Sequence, residues 1–273
     1  MAKTKVLVTV KTYPCLSQKY EELVCTAGFL EDGNWIRIYP VPFRKLGAYD
    51  QYSKYDWIEL DLVKNPRDVR PESYRPANID AGIAKVGHWD TGKKRDWALR
   101  KSLVLKNVYT NMTTLLEDCK NNGTSLAVMK ANVTGFKVKE VERNWDPQKL
   151  EAIKNNQCQL DLFEERKTFE LVKKLPYEFS YVFTTDDGKE RALMIEDWEL
   201  GMLYWNSLTE AKGDEVIACR KVKEKYFDYM AGERDLYLFL GTSLQWQQRN
   251  SPDPFMVIGT FFPPKTIEEP TLF

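Results

Sequence analysis

Two carboxylates and a lysine in the stretch WIELDLVK, residues 57–64, are of the types that hold a divalent metal ion against a phosphate. Glu59 and Asp61 are two residues apart, so in an extended strand both side chains lie on one face. With Lys64 they suggest the Mg²⁺ site of a nuclease. Lys64 follows Asp61 by three residues, however, and strict alternation turns it to the opposite face. A metal-dependent nuclease is therefore an alternative hypothesis; the sequence favours a protein without catalysis but leaves enzyme activity open.

Other common catalytic and cofactor sites lack the residues that they need. His88 is the only histidine, and it lies in the polar segment KVGHWD without a nucleophile motif nearby. The five cysteines are scattered without a CxxC pair, so neither a zinc site nor a disulfide framework is expected. The glycine patterns GxxxxGK and GxGxxG, which bind nucleotide phosphates, do not occur in the sequence. We therefore expect no metal and no cofactor.

Basic side chains interleaved with aromatic rings form three sets in the first 100 residues. In grooves that bind nucleic acid, cations follow the phosphates and aromatic faces stack on the bases. The third set, in HWDTGKKRDW, has three cations between Trp89 and Trp97, a pattern that suits single strands. The candidate nucleic-acid-binding residues are Trp35, Arg37, Tyr39, Arg44 and Lys45, then Arg67, Arg70 and Arg75, then Lys93, Lys94 and Arg95.

Each set also has a purely structural interpretation. Trp35 and Tyr39 share one strand face, which is compatible with a position in the core. The loop arginines have Asp68 and Glu72 as neighbours in the same segment, and GKKRDW is typical of a solvated turn before a helix. The clustering of three sets in one half of the chain favours nucleic-acid binding.

The charge of the chain is unevenly distributed. Residues 1–150 contain 25 Lys and Arg against 18 Asp and Glu, a formal charge of +7, and residues 151–273 carry −7. A basic surface attracts polyanions. We therefore expect a nucleic acid, DNA before RNA, as a partner of the first half.

The segment QLDLF, residues 159–163, resembles the pentapeptide with which bacterial replication and repair proteins bind the sliding clamp. By that resemblance, Gln159 hydrogen-bonds at the edge of the clamp pocket, Leu160 packs beside it, and Leu162 and Phe163 fill an apolar cleft. Short peptides of this kind obtain most of their binding energy from a few buried anchors. The alternative is a helix face in which Leu160 and Phe163 pack on the rest of this chain.

Alternation and turn signals predict the main elements. Strands are predicted at 5–13, 33–41, 55–64 and 125–143, and helical segments over 95–123 ending at Gly123. A helix start at Asp146 and Pro147 ends a first domain of residues 1–146 and opens a helical linker, 147–175. The second domain, 176–273, is predicted to contain a hairpin over 177–195, helices over 196–211 and 214–231, and adjacent strands over 235–242 and 254–264.

The run LVCTAGFLEDGNWIRIYPVPFR, residues 23–44, resembles bacterial proteins described as dual OB-fold domain proteins. In those proteins a C-x-AG segment is followed by a turn and a WIR strand, and SLAVMK at 125–130 is a later match. The matching residues are Cys25, Ala27, Gly28, Gly33, Trp35, Ile36 and Arg37. The resemblance implies a small β-barrel associated with nucleic acid or with mobile-element and defence genes, and no established reaction. The expected fold class is α+β: a β-rich, OB-like N-terminal domain followed by a smaller α/β C-terminal domain.

These observations together predict a DNA-associated adaptor or accessory protein of repair or anti-phage defence. Its N-terminal domain would bind nucleic acid, and its linker peptide would bind the sliding clamp or another subunit of a defence complex. The alternatives are the nuclease and a structural subunit of a larger complex. No apolar run approaches the length of a membrane helix and the first residues lack the apolar block of a signal peptide, so we expect a cytoplasmic location and no membrane partner.

Overall fold

The computed structural model describes residues 3–17, 20–47, 49–161, 170–249 and 251–265, and for residues 156–161 it describes the backbone alone. Helices and strands are mixed. The N-terminal strands are β1 (Thr4–Lys11), β2 (Cys15–Ser17), β3 (Glu21–Phe29), β4 (Trp35–Val41), β5 (Asp56–Leu60), β6 (Leu62–Lys64), β7 (Ser73–Pro76) and β8 (Ala84–His88), with a single 3₁₀ turn at Phe43–Lys45.

The eight N-terminal strands form one sheet, in the order β6-β7-β4-β3-β1-β5-β8, with β2 paired to β3. The pair β4–β7 is parallel, and the other pairs are antiparallel. Only Asp61 separates β5 from β6, so the two are parts of one bent strand. Through β5 this strand pairs with β1, and through β6 it pairs with β7 at the other end of the order. The sheet therefore curls round on itself.

Alternating side chains fill the inside of the curled sheet. Val6 and Val8 of β1, Ile36 and Ile38 of β4, and Ile58 of β5 are buried in one cluster. Their spacing of two residues turns each of them to the same face of its strand. The strands predicted at 5–13, 33–41 and 55–64 are confirmed, the last one divided at Asp61.

The second part of the chain forms two smaller sheets with helices. Its elements are α1 (Ala98–Val104), β9 (Val108–Tyr109), α2 (Met112–Asn122), β10 (Leu126–Lys130), β11 (Asn132–Glu140), α3 (Pro147–Asp161), β12 (Tyr177–Thr184), β13 (Arg191–Met194), α4 (Trp198–Glu210), α5 (Glu215–Lys223), a π-helix (Glu224–Glu233), β14 (Tyr237–Thr242), α6 (Leu244–Gln248) and β15 (Phe255–Phe261). The sheet orders are β15-β14-β10-β9 and β11-β12-β13. The chain passes from one sheet to the other at Ala131.

Several predicted elements of this part are confirmed and others are divided, among them the strand over 125–143, which becomes β10 and β11. The hairpin over 177–195 is β12–β13, and the two apolar runs pair as β14 and β15. The helical region over 95–123 is interrupted by β9 and becomes α1 and α2. Asn111 caps the start of α2, and Gly123, at φ 73°, ends it in the left-handed conformation that favours glycine.

Residues 108–130 belong with the C-terminal strands. β10 pairs with β14, and β9 runs parallel to β10. The pairings of the curled sheet end with β8. This grouping differs from the predicted first domain of residues 1–146, because the partner of β10 lies far along the chain and alternation does not identify it.

The outer face of the curled sheet is covered by the sheet β15-β14-β10-β9. Leu7 and Phe29 on this face are buried in one cluster with Val128, Phe239 and Ile258 of the second sheet. The two sheets therefore pack face to face. The outer face of β3 and β4 contacts protein and is largely removed from solvent.

A buried ion pair also joins the two parts. The ammonium of Lys54, which precedes β5, lies 2.9 Å from both carboxylate oxygens of Asp197 and 3.0 Å from Glu199. Burial alone would lower the pKa of Lys54, but the two carboxylates outweigh it and the pKa is raised. Asp197 also caps α4 through the backbone N–H of Glu199 and accepts a hydrogen bond from Tyr226.

Candidate nucleic-acid interface

The loop between β8 and α1, residues 89–97, is held at both ends by tryptophans that pack against other rings. The ring of Trp97 packs against Tyr55, Phe261 and Phe262, with centroids 6.4, 5.4 and 5.2 Å away. At the other end of the loop, Trp89 packs edge-on against Trp57, 5.2 Å away. Trp97, which is 8% exposed, therefore offers no free face for stacking, and Trp89 is half-buried and anchors its end of the loop on Trp57.

The backbone of this loop is strained and tightly bonded. Gly92, Arg95 and Trp97 have φ values of 76°, 51° and 63°, in the left-handed region that costs a residue with a side chain about 1–2 kcal/mol. The N–H of Arg95 donates to the carbonyl of Gly92 at 2.9 Å, and the N–H of Trp97 donates to the carbonyl of Thr91 at 3.1 Å. Strain of this kind persists only where the surroundings enforce it, and it is frequent at functional sites.

Arg100 holds the loop through the backbone of Trp89, and it is not among the predicted site residues. Its guanidinium donates twice to the carbonyl of Trp89, at 2.8 and 2.6 Å. It also lies over the ring of Tyr55, 3.7 Å from the centroid. The pattern that could have indicated it is a cation close to a tryptophan-bounded turn, which is too common to be specific.

The result is three exposed cations on a rigid support. Lys93, Lys94 and Arg95 are exposed, and within the described part of the chain their side chains form no hydrogen bond or ion pair. Asp90 and Asp96 lie in the same loop, where they accept backbone N–H groups at 2.6 and 3.2 Å. The loop can therefore offer three positive charges to a phosphate chain, reduced by two carboxylates that are engaged in holding its shape.

The first predicted set, on β4 and the turn after it, is largely engaged within the protein and differs in this from the prediction of a free binding surface. Arg37 is 2% exposed and its Nη2 donates to the carbonyl of Ser125 at 3.1 Å, so it joins the two sheets. Burial lowers the pKa of Arg37. Trp35 is half-buried, its ring 4.0 Å from Phe29 and 5.5 Å from Phe239. Tyr39 and Arg44 are half-buried, Lys45 is exposed, and the two cations pair with Glu22 and Glu21.

In the arginine-rich loop between β6 and β7, one residue differs from the prediction of an exposed binding surface. Arg70 is buried and forms a two-point ion pair with Asp68, while its Nη1 donates to the carbonyl of Thr242 at 2.7 Å. The expected pairing with Asp68 is thus present for Arg70, and Glu72 instead accepts from Ser125. Arg67 is exposed without a side-chain partner among the described residues, and Arg75 donates to the carbonyl of Pro76 at 3.2 Å.

The first two predicted sets lie on or beside neighbouring strands, and the third lies on a loop elsewhere in the strand order. β7 lies beside β4, which brings the first two sets together, whereas the loop 89–97 follows β8 at the other end of the strand order. Within the first two sets, the cations that remain exposed are Arg67 and Lys45. The loop 89–97 is therefore the strongest candidate interface among the predicted sets.

The carboxylates of the nuclease hypothesis lie beside a small cavity of about 210 Å³ that Glu59 and Asp61 line together with Asn78. Lys64 does not join them, because it donates to the carbonyl of Pro71 and lies over the ring of Tyr74. In the described part of the chain, no three His, Cys, Asp or Glu side chains converge to hold a metal ion. His88 is exposed, with Nδ1 2.7 Å from Asp56.

The clamp-like segment lies largely outside the described residues. The backbone of Gln159 and Leu160 belongs to the last turns of α3, which ends at Asp161. The side chains of these residues, and the whole of Leu162 and Phe163, lie outside the described part of the chain. Clamp binding through this peptide stays a prediction.

These features define a protein of mixed helices and strands whose curled N-terminal sheet is covered by a second sheet and carries a cationic loop. The chain belongs to the family described as Domain of unknown function (DUF8757), which matches residues 108–273. Residues 2–106 match a further family, described as Domain of unknown function (DUF8758). The two matches meet at residue 107, just before β9, in agreement with the strand pairing. No curated protein matches the chain.

Among the helices that the structure describes, none is both long enough and apolar enough to cross a membrane.

Proposed function

We propose that this protein is a nucleic-acid-associated adaptor that contacts a single strand through the loop 89–97. The observation that carries this proposal is the rigid, strained turn that holds Lys93, Lys94 and Arg95 in solvent without partners in the described chain. Cations on a preorganised support bind phosphates with little loss of conformational freedom. Phosphate contacts supply most of the affinity in binding that does not depend on sequence.

The topology of the curled sheet supports an OB-type barrel as part of this proposal. Round the sheet, five strands follow one another in the order β1, β3, β4, β7 and the bent strand β6–β5, and β4–β7 is the single parallel pair among them. OB-folds are five-stranded Greek-key barrels that bind oligonucleotides on the face of their second and third strands and on adjoining loops. In this chain the corresponding face, on β3 and β4, is covered by the C-terminal sheet. The proposal therefore assigns nucleic-acid contact to a loop at the edge of the barrel.

The adaptor part of the proposal rests on the QLDLF segment. All five of its residues fit the clamp-binding pentapeptide, and the segment follows directly from α3. In this proposal the peptide binds the bacterial sliding clamp or another subunit of a repair or defence complex, and the loop 89–97 holds the nucleic acid nearby. Beside such a partner, DNA is the nucleic acid that the proposal expects the loop to bind.

The test is the salt dependence of binding to a fluorescent single-stranded oligonucleotide. For the triple variant Lys93→Gln, Lys94→Gln, Arg95→Gln, we expect weaker binding and a log–log salt slope reduced by about 2, because each contact with a single strand contributes about 0.7. The matched control replaces Lys137, Lys139 and Lys189, which are also exposed and lack side-chain partners in the described chain, with Gln. An equal loss in the control, or no binding of the wild type at low salt, would refute the proposal.

A further inference from the structure

A cleft of about 420 Å³ opens in the second part of the chain, where the sheet containing β10 gives way to the sheet containing β11. Its walls come from the junction of these two strands, the end of β12, the segment after the π-helix, and Lys265. Its charged residues are Lys130, Asp186, Arg234, Asp235 and Lys265, and Thr110, Asn132, Thr184 and Thr185 add uncharged polar groups. A volume of this size accommodates a small organic ligand.

Arg234 lines the cleft, and part of its guanidinium has no partner among the described residues. Its Nε donates to the carbonyl of Phe262 at 3.2 Å. The guanidinium carbon lies 5.7 Å from the ring of Tyr229 and 6.0 Å from the ring of Trp97. No hydrogen bond from its two Nη atoms is made to the described residues. A planar guanidinium fixed in this way is suited to two-point binding of a phosphate.

The charged side chains that line the cleft carry one more positive charge than negative charges. Lys130 and Asp235 form an ion pair and neutralise each other. Lys265 donates to the carbonyl of Gly232 at 2.8 Å, which leaves further ammonium hydrogens for a ligand. Asp186 is the one acid of the cleft wall without a side-chain partner in the described chain. The two positive charges of Arg234 and Lys265 therefore exceed the single negative charge of Asp186.

We propose that this cleft binds a terminal phosphate group, the phosphomonoester of a nucleotide or of a strand end. Such a group carries a charge of about −1.5 to −2 near neutral pH, which matches Arg234 and Lys265. Its three terminal oxygens accept from these two residues and from the hydroxyl groups of Thr110 and Thr184, since the hydroxyl of Thr185 donates to Asp187. The guanidinium of Arg234 packs on Trp97, the residue that anchors the loop of Lys93, Lys94 and Arg95. If the source is the end of a strand, the inference rests on the function proposed above; if it is a free nucleotide, it does not.

Four probes distinguish these sources: AMP, inorganic phosphate, and a short oligothymidylate with either a 5′-phosphate or a 5′-hydroxyl. Titration calorimetry on the full chain is expected to show saturable binding of AMP or of the 5′-phosphorylated oligomer. Binding of AMP assigns the cleft to a free nucleotide, and binding only of the phosphorylated oligomer assigns it to a strand end. Equal affinity for the two oligomers, without binding of AMP or phosphate, would overturn the inference and leave the proposed function standing.

Variants of the cleft residues test the assignment. Arg234→Gln and Lys265→Gln are each expected to weaken binding about tenfold or more, since each removes a charge-assisted contact. Asp186→Asn is expected to tighten binding several-fold, because it removes the opposing charge. Lys189→Gln, an exposed lysine outside the cleft, is the control and is expected to have no effect.

The outcomes separate this inference from the proposed function. If Arg234→Gln does not fold, Lys265→Gln carries the test, because its ammonium is exposed. Weaker binding after Asp186→Asn, or an equal loss in Lys189→Gln, would overturn the phosphate site. The triple loop variant is expected to keep its affinity for AMP, so loss of oligonucleotide binding in that variant tests the loop alone.

Discussion

At the scale of single residues, Arg37 joins the two sheets. Its Nη2 donates to the Ser125 carbonyl, the hydroxyl of Ser125 donates to Glu72, and the backbone N–H of Arg37 donates to the carbonyl of Glu72 at 2.9 Å. Beside them, Arg70 and Asp68 connect the β6–β7 loop to Thr242. These buried arginines satisfy backbone groups of the C-terminal sheet, which identifies them as structural residues.

Arg37→Ala is therefore expected to lower the free energy of unfolding by about 2 kcal/mol without changing the salt slope of oligonucleotide binding. The variant loses a charge-assisted hydrogen bond to Ser125 and leaves a void at the sheet contact. Urea denaturation and fluorescence anisotropy measure the two quantities. Unchanged stability together with lost binding would indicate instead that Arg37 contacts the nucleic acid.

The sequence identified the residue types of this region but not their surroundings. Alternation along β4 shows that Trp35, Arg37 and Tyr39 share a face. Whether that face meets solvent depends on a sheet whose strands β14 and β15 lie near the other end of the chain. Both interpretations of GKKRDW, a nucleic-acid contact and a solvated turn, place the three cations of the loop 89–97 in solvent, and the structure has them exposed.

At the scale of elements, the loop 89–97 combines strain with exposed charge. Arg95 adopts φ 51°, a conformation that glycine reaches without steric cost. At this position a residue with a side chain has a steric cost that glycine does not have. The turn therefore predicts a conflict between stability and binding.

Arg95→Gly is expected to raise the free energy of unfolding by about 0.5–1 kcal/mol and to weaken oligonucleotide binding. Relief of the left-handed strain exceeds the entropic cost of glycine at such a position. Lys94→Gly is the control, because it removes the same charge at a residue whose φ is not positive, and it is expected to lower stability. Equal stability changes in both variants would contradict the role assigned to strain.

Glu215 in the first turn of α5 connects that helix to two other elements. It accepts from the guanidinium of Arg143 at 2.6 and 2.9 Å and from the hydroxyl of Tyr177 at 2.7 Å. These hydrogen bonds lower the pKa of Glu215 to about 2. In the unfolded chain the pKa of a glutamate is about 4.3.

The stability that Glu215 contributes is therefore present above about pH 4.3 and is lost as the pH falls through 2. Glu215→Gln is expected to have a lower melting temperature than the wild type at pH 6, and the difference is expected to shrink below pH 4 and to vanish near pH 2. Melting curves of both proteins across this range measure it. A difference that stays constant with pH would show that the carboxylate charge is not involved.

At the scale of the whole molecule, the two segments matched by the two families adjoin at residue 107 and pack against each other. The contact includes the apolar faces of two sheets and the ion pair between Lys54 and Asp197. Local alternation and turn signals predict β1, β4, the bent strand β5–β6 and the C-terminal hairpin, whereas β2, β3, β7 and β8 were not predicted. The sequence placed the division of the chain at 146, because the pairing of β9 and β10 with distant strands leaves no local signal.

Lys54→Met is expected to lower the free energy of unfolding by about 3–5 kcal/mol, because it leaves the Asp197 carboxylate buried without its partner. Adding Asp197→Asn is expected to recover part of this loss, since the amide keeps a capping oxygen and carries no charge. Urea denaturation of both single variants and the double variant gives the coupling free energy. Strictly additive effects would show that the pair does not link the two parts.

The most direct test of the central claim is lysine footprinting of the full chain with and without a single-stranded oligonucleotide. Acetylated lysines are mapped by mass spectrometry at low salt. We expect Lys93 and Lys94 to be protected by the oligonucleotide and Lys137 and Lys139 on β11 to be modified equally in both samples. Equal modification of Lys93 and Lys94 in the two samples, under conditions where the oligonucleotide is bound, would contradict the assignment of the loop 89–97 as the nucleic-acid contact.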